Sequence, residues 1–472
     1  MKIGLVSLGC PKNLVDSEVM LGLAQQAGHT LTPDAADADV LVVNTCAFIE
    51  SARQESVNAI LEMAEQKKHG RCQRLVVTGC MAERYRDELR REIPEIDEVL
   101  GTGEVPQIVE AIAGQPPAAG QTLPLYRGRR DAQSGTVRAV APHREPPALP
   151  TYIYDADTPR TLTTPSHFAY LKIAEGCNYK CAFCIIPRLR GAYRSRPADS
   201  ILREARDLAA RGVKELLLVS QDTTYFGNDQ GERGALPRLL RQLNLVDGLE
   251  WIRLLYLYPT TITADTLTAI AECEKVCKYV DLPLQHASDP VLERMRRPGT
   301  RASYTRLIEK IRSTVPGVTL RTTFIVGFPG ETDREFEELR QFVEATGFDH
   351  VGVFTYSHEE GTAAGRMTDD VPRRVKMQRQ RAIMTMQRRL VTSANRRRIG
   401  QRVQVLVDGP SPEHPLVLRG RLPGQAPEID PLVYLSDADP AVCRPGALIA
   451  AEVIAARGYD LVVRPLPVLK TA

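Results

Sequence analysis

The sequence contains no apolar run long enough to cross a bilayer, although 43% of its 472 residues are hydrophobic. Its opening, MKIGLVSLGC, becomes apolar at once and is ended by Pro11 and Lys12, so it lacks the length and the small-residue cleavage site of a signal peptide. A large charge excess is also missing, because a net charge of +3 is too small to indicate a nucleic-acid partner by itself. We therefore expect a cytoplasmic protein with no membrane partner, whose first residues form a strand.

Cysteine, in contrast, is plentiful, with ten residues in the chain. Cytoplasmic proteins rarely keep disulfides, so clustered cysteines in such a chain indicate metal binding or catalysis. A single cysteine taken alone is more often a buried structural thiol. The spacing and placement of the ten therefore decide which of them are candidate ligands.

The first part of the chain, residues 1–113, alternates short apolar strands with helical patterns, and this alternation predicts a parallel, doubly wound α/β sheet. The predicted strands and helices are Ile3–Leu8, Leu14–Ala27, Val40–Val43, Ala52–Gln66, Leu75–Val77 and Ala82–Glu92. Residues 114–166 are crowded with Pro, Gly and Arg, which predicts an extended linker rather than a domain.

The alternation resumes over residues 167–395 and predicts a partial (β/α) barrel, because the candidate strands fall short of eight. These strands are Ala169–Ala174, Glu215–Ser220, Trp251–Leu257, Tyr279–Leu282, Thr319–Val326 and His350–Tyr356. Residues 372–398 predict one long helix with ten Arg and Lys and no Asp or Glu. Four apolar residues indicate that one side of this helix packs: Met377, Ile383, Met384 and Leu390. Residues 396–472 show short alternating runs broken by Gly and Pro, which predict a small all-β barrel.

Three cysteines in AEGCNYKCAFC, namely Cys177, Cys181 and Cys184, directly follow the predicted strand LKIA. A structural zinc site normally closes with four ligands, whereas a cubane iron–sulfur cluster held by three thiolates keeps one iron open for a small molecule. The loop also lies at the carboxyl end of a barrel strand, where such barrels carry their chemistry. The spacing thus favours an iron–sulfur cluster over zinc or incidental thiols.

A second set of three cysteines, Cys10, Cys46 and Cys80, lies in SLGC, VNTC and VTGC, each just past a predicted parallel strand. In an open α/β sheet, ligands collect at the carboxyl ends of the strands, which lie about 5 Å apart. Three thiols at equivalent positions of successive βα units are therefore predicted to meet over one cluster. The other four cysteines (Cys72, Cys273, Cys277 and Cys443) are predicted to be ordinary thiols, with Cys273 and Cys277 four apart in a helical pattern.

With both sets placed, the chain resembles the methylthiotransferase family of radical S-adenosylmethionine enzymes over nearly its whole length. The resemblance is carried by SLGCPKNLVDSEVM, NTCAFIESARQES, TGC and EGCNYKCAFCIIPRLRGAYRSRP, and the end of the chain resembles the accessory domain called TRAM through APEIDPLVYL and RGYDLV. The Pro-Lys-Asn after Cys10 and LPLQHAS at 282–288 resemble the branch that modifies a ribosomal protein more than the branch that modifies tRNA.

The resemblance implies two 4Fe–4S clusters and two uses of S-adenosylmethionine. One molecule methylates a sulfur held on the N-terminal cluster. The other is cleaved at the central, catalytic cluster to a radical that removes hydrogen from the β-carbon of an aspartate. That aspartate belongs to a small-subunit ribosomal protein at the decoding centre, and its carbon then takes the methylthio group. An electron donor such as flavodoxin or ferredoxin, and a contact with the ribosome or rRNA, are the further partners expected.

The resemblance also implies cofactor contacts in the barrel. Phe183, the aromatic residue before the third central cysteine, is expected near the adenine, although core packing would explain it equally well. Gln221 and Asp222 follow the strand ELLLVS and are expected to face the cofactor or the substrate. Gly327, Gly330 and Glu331 either contact the cofactor or only form the turn between a strand and a helix. At the start of that helix, Thr332 and Glu335 predict a capping box.

Two rival functions remain open at this point. One is a tRNA adenosine methylthiotransferase with the same chemistry. The other is a non-enzymatic RNA- or ribosome-binding protein with structural zinc, which the basic helix at 372–398 would serve through phosphate contacts.

Overall fold

The computed structural model describes residues 1–115 and 149–467 of the chain. Most of the linker predicted over 114–166 thus lies outside the described residues, from 116 to 148. The described end of it, 149–166, contains no helix or strand, yet it is anchored. The buried guanidinium of Arg160 pairs there with Glu18 and Glu204, which lie in different parts of the chain. No helix among the described residues is long and apolar enough to cross a membrane.

A parallel five-stranded sheet, in the order β2-β1-β3-β4-β5, forms the N-terminal region. Its elements are β1 (Lys2–Ser7), α1 (Pro11–Gln26), β2 (Thr30–Leu31), β3 (Val40–Thr45), α2 (Glu50–His69), β4 (Arg74–Gly79), α3 (Cys80–Arg84), α4 (Arg86–Glu92), β5 (Glu98–Leu100) and α5 (Ile108–Ala113). Every residue of β3 is buried. Val40 and Val42 pack in one core with α1, and Leu41 and Val43 pack in another with α2. Helices therefore cover both faces, and the predicted doubly wound sheet is confirmed.

Two details of this region differ from the sequence prediction. The edge strands β2 and β5 were not predicted, because two or three residues show no periodicity. The helix predicted over Ala82–Glu92 is two helices, since Tyr85 between them leaves the helical conformation with φ −128° and ψ 34°.

The central region forms two three-stranded parallel sheets, β10-β9-β6 and β11-β12-β13. Its elements are β6 (Phe168–Lys172), β7 (Ala174–Glu175), α6 (Ile186–Arg190), β8 (Arg194–Ser195), α7 (Ala198–Ala210), β9 (Glu215–Val219), α8 (Ala235–Leu243), β10 (Trp251–Leu254), α9 (Ala264–Glu272), β11 (Tyr279–Asp281), α10 (Asp289–Arg294), α11 (Arg301–Thr314), β12 (Thr319–Val326), α12 (Asp333–Thr346) and β13 (His350–Thr355). An isolated parallel bridge pairs Ile252 of β10 with Val276, three residues before β11, so the two sheets lie side by side. The predicted partial barrel is confirmed.

The long basic helix is α13 (Arg373–Arg396), which packs against β13 and α12. Its buried side carries Ile383 and Val391, but Met377 is exposed, contrary to the prediction. A closed barrel follows, ordered β14-β15-β16-β18-β17. It consists of β14 (Arg402–Ser411), β15 (His414–Arg421), β16 (Val433–Leu435), β17 (Leu448–Arg457) and β18 (Asp460–Pro465), which confirms the predicted all-β end of the chain.

The C-terminal barrel docks where the central strands begin. Buried Arg421 pairs with Glu215, the first residue of β9, and Arg253 of β10 pairs with the same carboxylate at 2.7 Å. Tyr279, the first residue of β11, donates a hydrogen bond to Asp430. This docking leaves the opposite, carboxyl ends of the strands free for the cysteine loops.

Candidate active site

The N-terminal cysteines lie at the carboxyl ends of three adjacent strands. Cys10 caps α1 just after β1, Cys46 follows β3, and Cys80 begins α3 directly after β4. The strand register aligns them, because Ser7 pairs with Asn44, and Thr45 pairs with Gly79. Sequence reasoning thus placed all three at one edge, and the structure brings them together there.

Close backbone approach at this edge requires glycine. Gly9 has φ +92°, and a Cβ atom there would lie 2.8 Å from the Cβ and 3.0 Å from the Sγ of Cys46. Gly79 has φ +93°, a conformation that side chains rarely adopt. Ser56 fixes the Cys46 backbone by accepting from its N–H at 3.0 Å and donating to its carbonyl at 2.9 Å. The local sequence therefore holds the three loops close and rigid.

The electrostatic surroundings of these thiols are unequal. Burial opposes ionisation of Cys10, but Lys12 and Arg190 outweigh it and lower the pKa of that thiol. Burial, together with the nearby Cys80 and Cys10, raises the pKa of Cys46 to about 12. Burial also raises the pKa of Cys80, although Arg190 opposes the shift. The three thiols thus share one buried volume in which Arg190 is a common positive charge.

The central cysteines occupy a loop between β7 and α6. Gly176, with φ +84°, begins the loop against the carbonyl of Ala192, and the Cys177 N–H donates to Gly191 at 3.1 Å. The Cys184 N–H donates to the Cys181 carbonyl at 3.1 Å, which curls the loop on itself. Burial raises the pKa of Cys177 to about 11, and burial with the nearby Cys181 raises the pKa of Cys184 further.

Arg297 and two tyrosines surround this loop. The Nη1 of buried Arg297 lies 3.8 Å from the Sγ of Cys181, and its guanidinium lies 3.9 Å from the centre of the Tyr258 ring. Tyr179 stacks on Tyr258 with ring centres 3.9 Å apart, and its hydroxyl donates to Asp222 at 2.7 Å. A cation beside a thiolate favours added negative charge on the sulfur. Sequence reasoning missed all three residues, although Tyr179 lies inside the cysteine motif.

A buried ionic network joins the two cysteine loops. Lys172 pairs with both Asp16 and Glu175, and Arg190 pairs with the same two carboxylates at 2.6 and 3.1 Å. Although burial alone would raise it, Lys172 and Arg190 hold the pKa of Glu175 well below its usual range. Because Asp16 follows Cys10 in α1 and Glu175 precedes Cys177, the network fixes one loop against the other.

The remaining predicted contacts divide into two groups. Asp222 is fully buried, and its carboxylate accepts from Tyr179, Thr224 and Thr261. Glu331 accepts from the N–H groups of Gly327 and Phe328 and so closes its own turn. Protein donors thus engage the Asp222 carboxylate and one oxygen of Glu331, whereas the Oε1 of Glu331 is buried without a hydrogen-bond partner.

The other predicted contact residues have fewer hydrogen bonds to protein groups. Gln221 donates to Glu175, while its amide oxygen is buried and has no hydrogen-bond partner. The Gly330 N–H donates to Asp370 at 2.7 Å, and Phe183 packs partly buried against the cluster that contains Phe328 and Tyr356. The predicted capping box of Thr332 and Glu335 is present. That any of these residues contacts S-adenosylmethionine stays a prediction.

The four other cysteines are all buried, and none belongs to either cysteine loop. The helical placement predicted for Cys273 and Cys277 is wrong, because α9 ends at Glu272 and Cys277 precedes β11. Within residues 1–115 and 149–467, no three His, Cys, Asp or Glu side chains are arranged to hold a single metal ion.

Family models match three parts of the chain. Residues 2–101 match a model described as uncharacterized protein family UPF0004, residues 171–343 match the radical SAM superfamily, and residues 399–465 match the TRAM domain. Among solved structures, the radical S-adenosylmethionine methyltransferase TsrM from Kitasatospora setae superposes with a TM-score of 0.54 at 17% identity. It covers 77% of this chain and 74% of its own, a likeness of fold alone.

Curated relatives match almost the entire chain. The ribosomal protein uS12 methylthiotransferase RimO of Geotalea uraniireducens is 45% identical, with 99% of this chain and 98% of the relative covered. The protein of the same name from Desulforamulus reducens is 46% identical, with 97% of this chain and 98% of the relative covered. The one from Symbiobacterium thermophilum is 47% identical, with 98% of this chain and 90% of the relative covered.

The half-barrel and its three-cysteine loop define the chain as a radical S-adenosylmethionine enzyme, which works with an iron–sulfur cluster and S-adenosylmethionine. Within that class it is a methylthiotransferase. The chain belongs to the family of the proteins named RimO.

Proposed function

We propose that the chain inserts a methylthio group at the β-carbon of an aspartate in ribosomal protein uS12. The relatives described above carry the name of uS12 methylthiotransferases at 45–47% identity. The structural observation that carries the proposal is the buried network through which the Cys10 loop and the Cys177 loop meet. A zinc protein that only binds RNA has no need for two cysteine loops held face to face.

We propose that Cys10, Cys46 and Cys80 hold one 4Fe–4S cluster and that Cys177, Cys181 and Cys184 hold a second, catalytic one. The donor sets fit, because each offers three converging thiols and leaves one iron without a protein ligand. A cluster held by Cys177, Cys181 and Cys184 would supply the electron for cleavage of one S-adenosylmethionine, and one held by Cys10, Cys46 and Cys80 would supply the site for a sulfur methylated by a second.

The chain's own residues position these groups. Arg297 holds the Cys181 sulfur, and the stacked Tyr179 and Tyr258 wall the loop beside it. We assign S-adenosylmethionine contacts to the residues predicted from sequence: Phe183, Gln221, Asp222, Gly327, Gly330 and Glu331. The unpartnered amide oxygen of Gln221 and the unpartnered Oε1 of Glu331 support direct contacts, and the Asp222 carboxylate also accepts from Thr224 in its own loop. Buried surroundings also keep water from the reacting carbon.

The basic helix α13 supports a contact with the ribosome or rRNA. Its buried Lys376 and Arg379 pair with carboxylates. The exposed arginines of the helix and of its C-cap form no ion pair with a described carboxylate; they are Arg373, Arg374, Arg381, Arg388, Arg389, Arg396 and Arg397. Unpaired exposed guanidinium groups suit phosphate.

We further propose a flavodoxin or ferredoxin as electron donor, action in the cytoplasm, and domain boundaries at residues 113, 166 and 395.

The experiment that tests this function is mass spectrometry on a strain that lacks the gene. We expect the aspartate-containing peptide of uS12 to lose one methylthio group, and tRNA nucleosides to stay unchanged. The wild-type gene should restore the modification, and a Cys181→Ala gene should not. Loss of a methylthiolated adenosine from tRNA instead would overturn the uS12 proposal and favour the tRNA branch.

A further inference from the structure

Three lysines are buried among the described residues, and they differ in whether a carboxylate pairs with them. Lys172 pairs with Asp16 and Glu175, and Lys376 pairs with Asp369 at 2.6 Å. Lys12, which is 8% exposed, forms no ion pair with any carboxylate in residues 1–115 and 149–467. Burying an ammonium group is unfavourable unless an opposite charge accompanies it, and the acidic group that Lys12 acts on is the thiol of Cys10 rather than a carboxylate.

The position of this amine is specific. Lys12 lies two residues after Cys10, and its Nζ reaches the carbonyl of Ser220 at 3.4 Å and the ring of Tyr256 at 3.5 Å from the ring centre. Ser220 follows β9, and Tyr256 follows β10, so the amine of the N-terminal loop lies over the carboxyl ends of two central strands. It therefore stands where the two cysteine loops meet.

The groups around Lys12 include a backbone conformation and a buried polar atom that each cost free energy. Tyr256 has φ +60°, a conformation that residues other than glycine rarely adopt, and its N–H donates to Asp281 at 2.9 Å. Next to Ser220, the amide oxygen of Gln221 is buried without a partner while its NH₂ group holds Glu175. The ammonium group of Lys12 thus contacts Ser220, and the residue that follows Ser220 carries a buried polar atom without a partner.

We propose that Lys12 binds the side-chain carboxylate of the substrate aspartate and so presents its β-carbon between the two cysteine loops. The inference rests on the proposed function, which supplies the aspartate. An ammonium group held on a ring and a carbonyl offers its remaining N–H donors to an anion. Lys12 takes no part in bond making, and its role is to distinguish an aspartate from a neutral side chain of the same shape.

Two other roles would also place a cation here, and the experiment must separate them. Lys12 lies close enough to Cys10 to help balance the charge of a cluster there, and its amine could meet the carboxylate of S-adenosylmethionine instead. Neither alternative distinguishes aspartate from asparagine in uS12. Discrimination between those two side chains is therefore the informative measurement.

The test compares binding of uS12 and of a uS12 variant with asparagine at the target position to the reconstituted holoenzyme. The wild-type enzyme should bind the aspartate form at least about tenfold more tightly, as expected for a charged hydrogen bond. Lys12→Gln and Lys12→Met should bring this ratio close to one, and Lys12→Arg should keep part of it. Lys68→Gln, an exposed lysine of the same region, is the matched control and should keep the full ratio.

The outcomes are distinct. If wild-type enzyme modifies uS12 and both neutral variants keep the full ratio, Lys12 does not read the carboxylate and this inference is wrong, while the proposed function stands. Weaker S-adenosylmethionine binding or lost iron with an unchanged ratio would overturn it in the same way. If the wild-type enzyme neither binds nor modifies uS12, the proposed function fails and this inference fails with it.

Discussion

Arg190 of α6 and Asp16 of α1 form a buried ion pair across the two cysteine regions, with Nη1 2.6 Å from Oδ2. The same guanidinium donates to the Asn13 side chain at 2.8 Å. One arginine therefore joins the residues that follow Cys10 to the segment that follows Cys184.

Removing Asp16 should destabilise the protein strongly. In Asp16→Asn, Lys172 and Arg190 would share only Glu175, and breaking a buried pair from one side costs about 3–5 kcal/mol. We expect a matching fall in the free energy of unfolding, measured by denaturant titration under anaerobic conditions. Asp37→Asn, which removes an exposed ion pair with Lys2, should change it by less than about 1 kcal/mol. Equal effects of the two substitutions would contradict the structural role of the network.

The two clusters should be separable. Replacing Cys177, Cys181 and Cys184 together by Ala should leave about half of the iron and sulfide, because Cys10, Cys46 and Cys80 remain. Chemical iron analysis on folded, reconstituted protein checks this. Cys277→Ala, at a buried cysteine outside both loops, should keep all of the iron. A folded triple variant that kept or lost all of its iron would refute the two-site assignment.

The two loops should fail in different ways. Cys181→Ala should abolish formation of 5′-deoxyadenosine, since the central loop is the proposed site of cleavage. Cys46→Ala should still cleave S-adenosylmethionine but transfer no methylthio group. Chromatography of the small-molecule products, combined with mass spectrometry of uS12, measures both. Modified uS12 in quantity from Cys46→Ala would remove the role given to the N-terminal loop.

Arg297 should tune the central site. Its guanidinium beside the Cys181 sulfur favours the more negative, reduced form, so Arg297→Met should lower the reduction potential of the central cluster. A titration followed by electron paramagnetic resonance reports the potential directly. Arg296→Met, at the exposed neighbouring residue, should leave it unchanged. A potential that is the same in Arg297→Met would show that the contact is only structural.

The basic face of α13 should act on ribosomal particles rather than on free uS12. Changing Arg373, Arg374, Arg381 and Arg389 together to Gln should weaken binding to the small subunit and flatten its salt dependence, because fewer counterions are released. Binding of isolated uS12 should not change. Arg238→Gln with Arg241→Gln, two exposed arginines that already have acidic partners, serves as the control. An unaltered salt slope would argue that the helix only covers the barrel.

The sequence was sufficient where a signal repeats locally. The apolar run Val40–Val43 predicts a buried strand, and three cysteines after three such strands predict a shared edge. The edge strand Thr30–Leu31 could not be predicted, because a two-residue strand is defined only by the partner with which it pairs. Cys273 and Cys277 misled the prediction, since a four-residue spacing is common outside helices too.

No local pattern in the sequence could predict which charged and polar side chains would meet beside the cysteine loops. Arg190 and Asn13 are 177 positions apart in the chain, and nothing in either segment indicates the other. In the sequence, Lys12 ends the apolar opening and belongs to the Pro-Lys-Asn that follows Cys10. Its burial and its lack of a carboxylate partner are properties of packing, which appear once three separate segments meet.

The docking of the C-terminal barrel carries a consequence for protein engineering. Its Arg421 gives the buried Glu215–Arg253 pair a second cation, and its Asp430 accepts the hydrogen bond of the Tyr279 hydroxyl. The barrel is thus no interchangeable module at the end of the chain. A chimera that grafts this segment from a distant relative should fold well only if the matching residues of the strand bases travel with it.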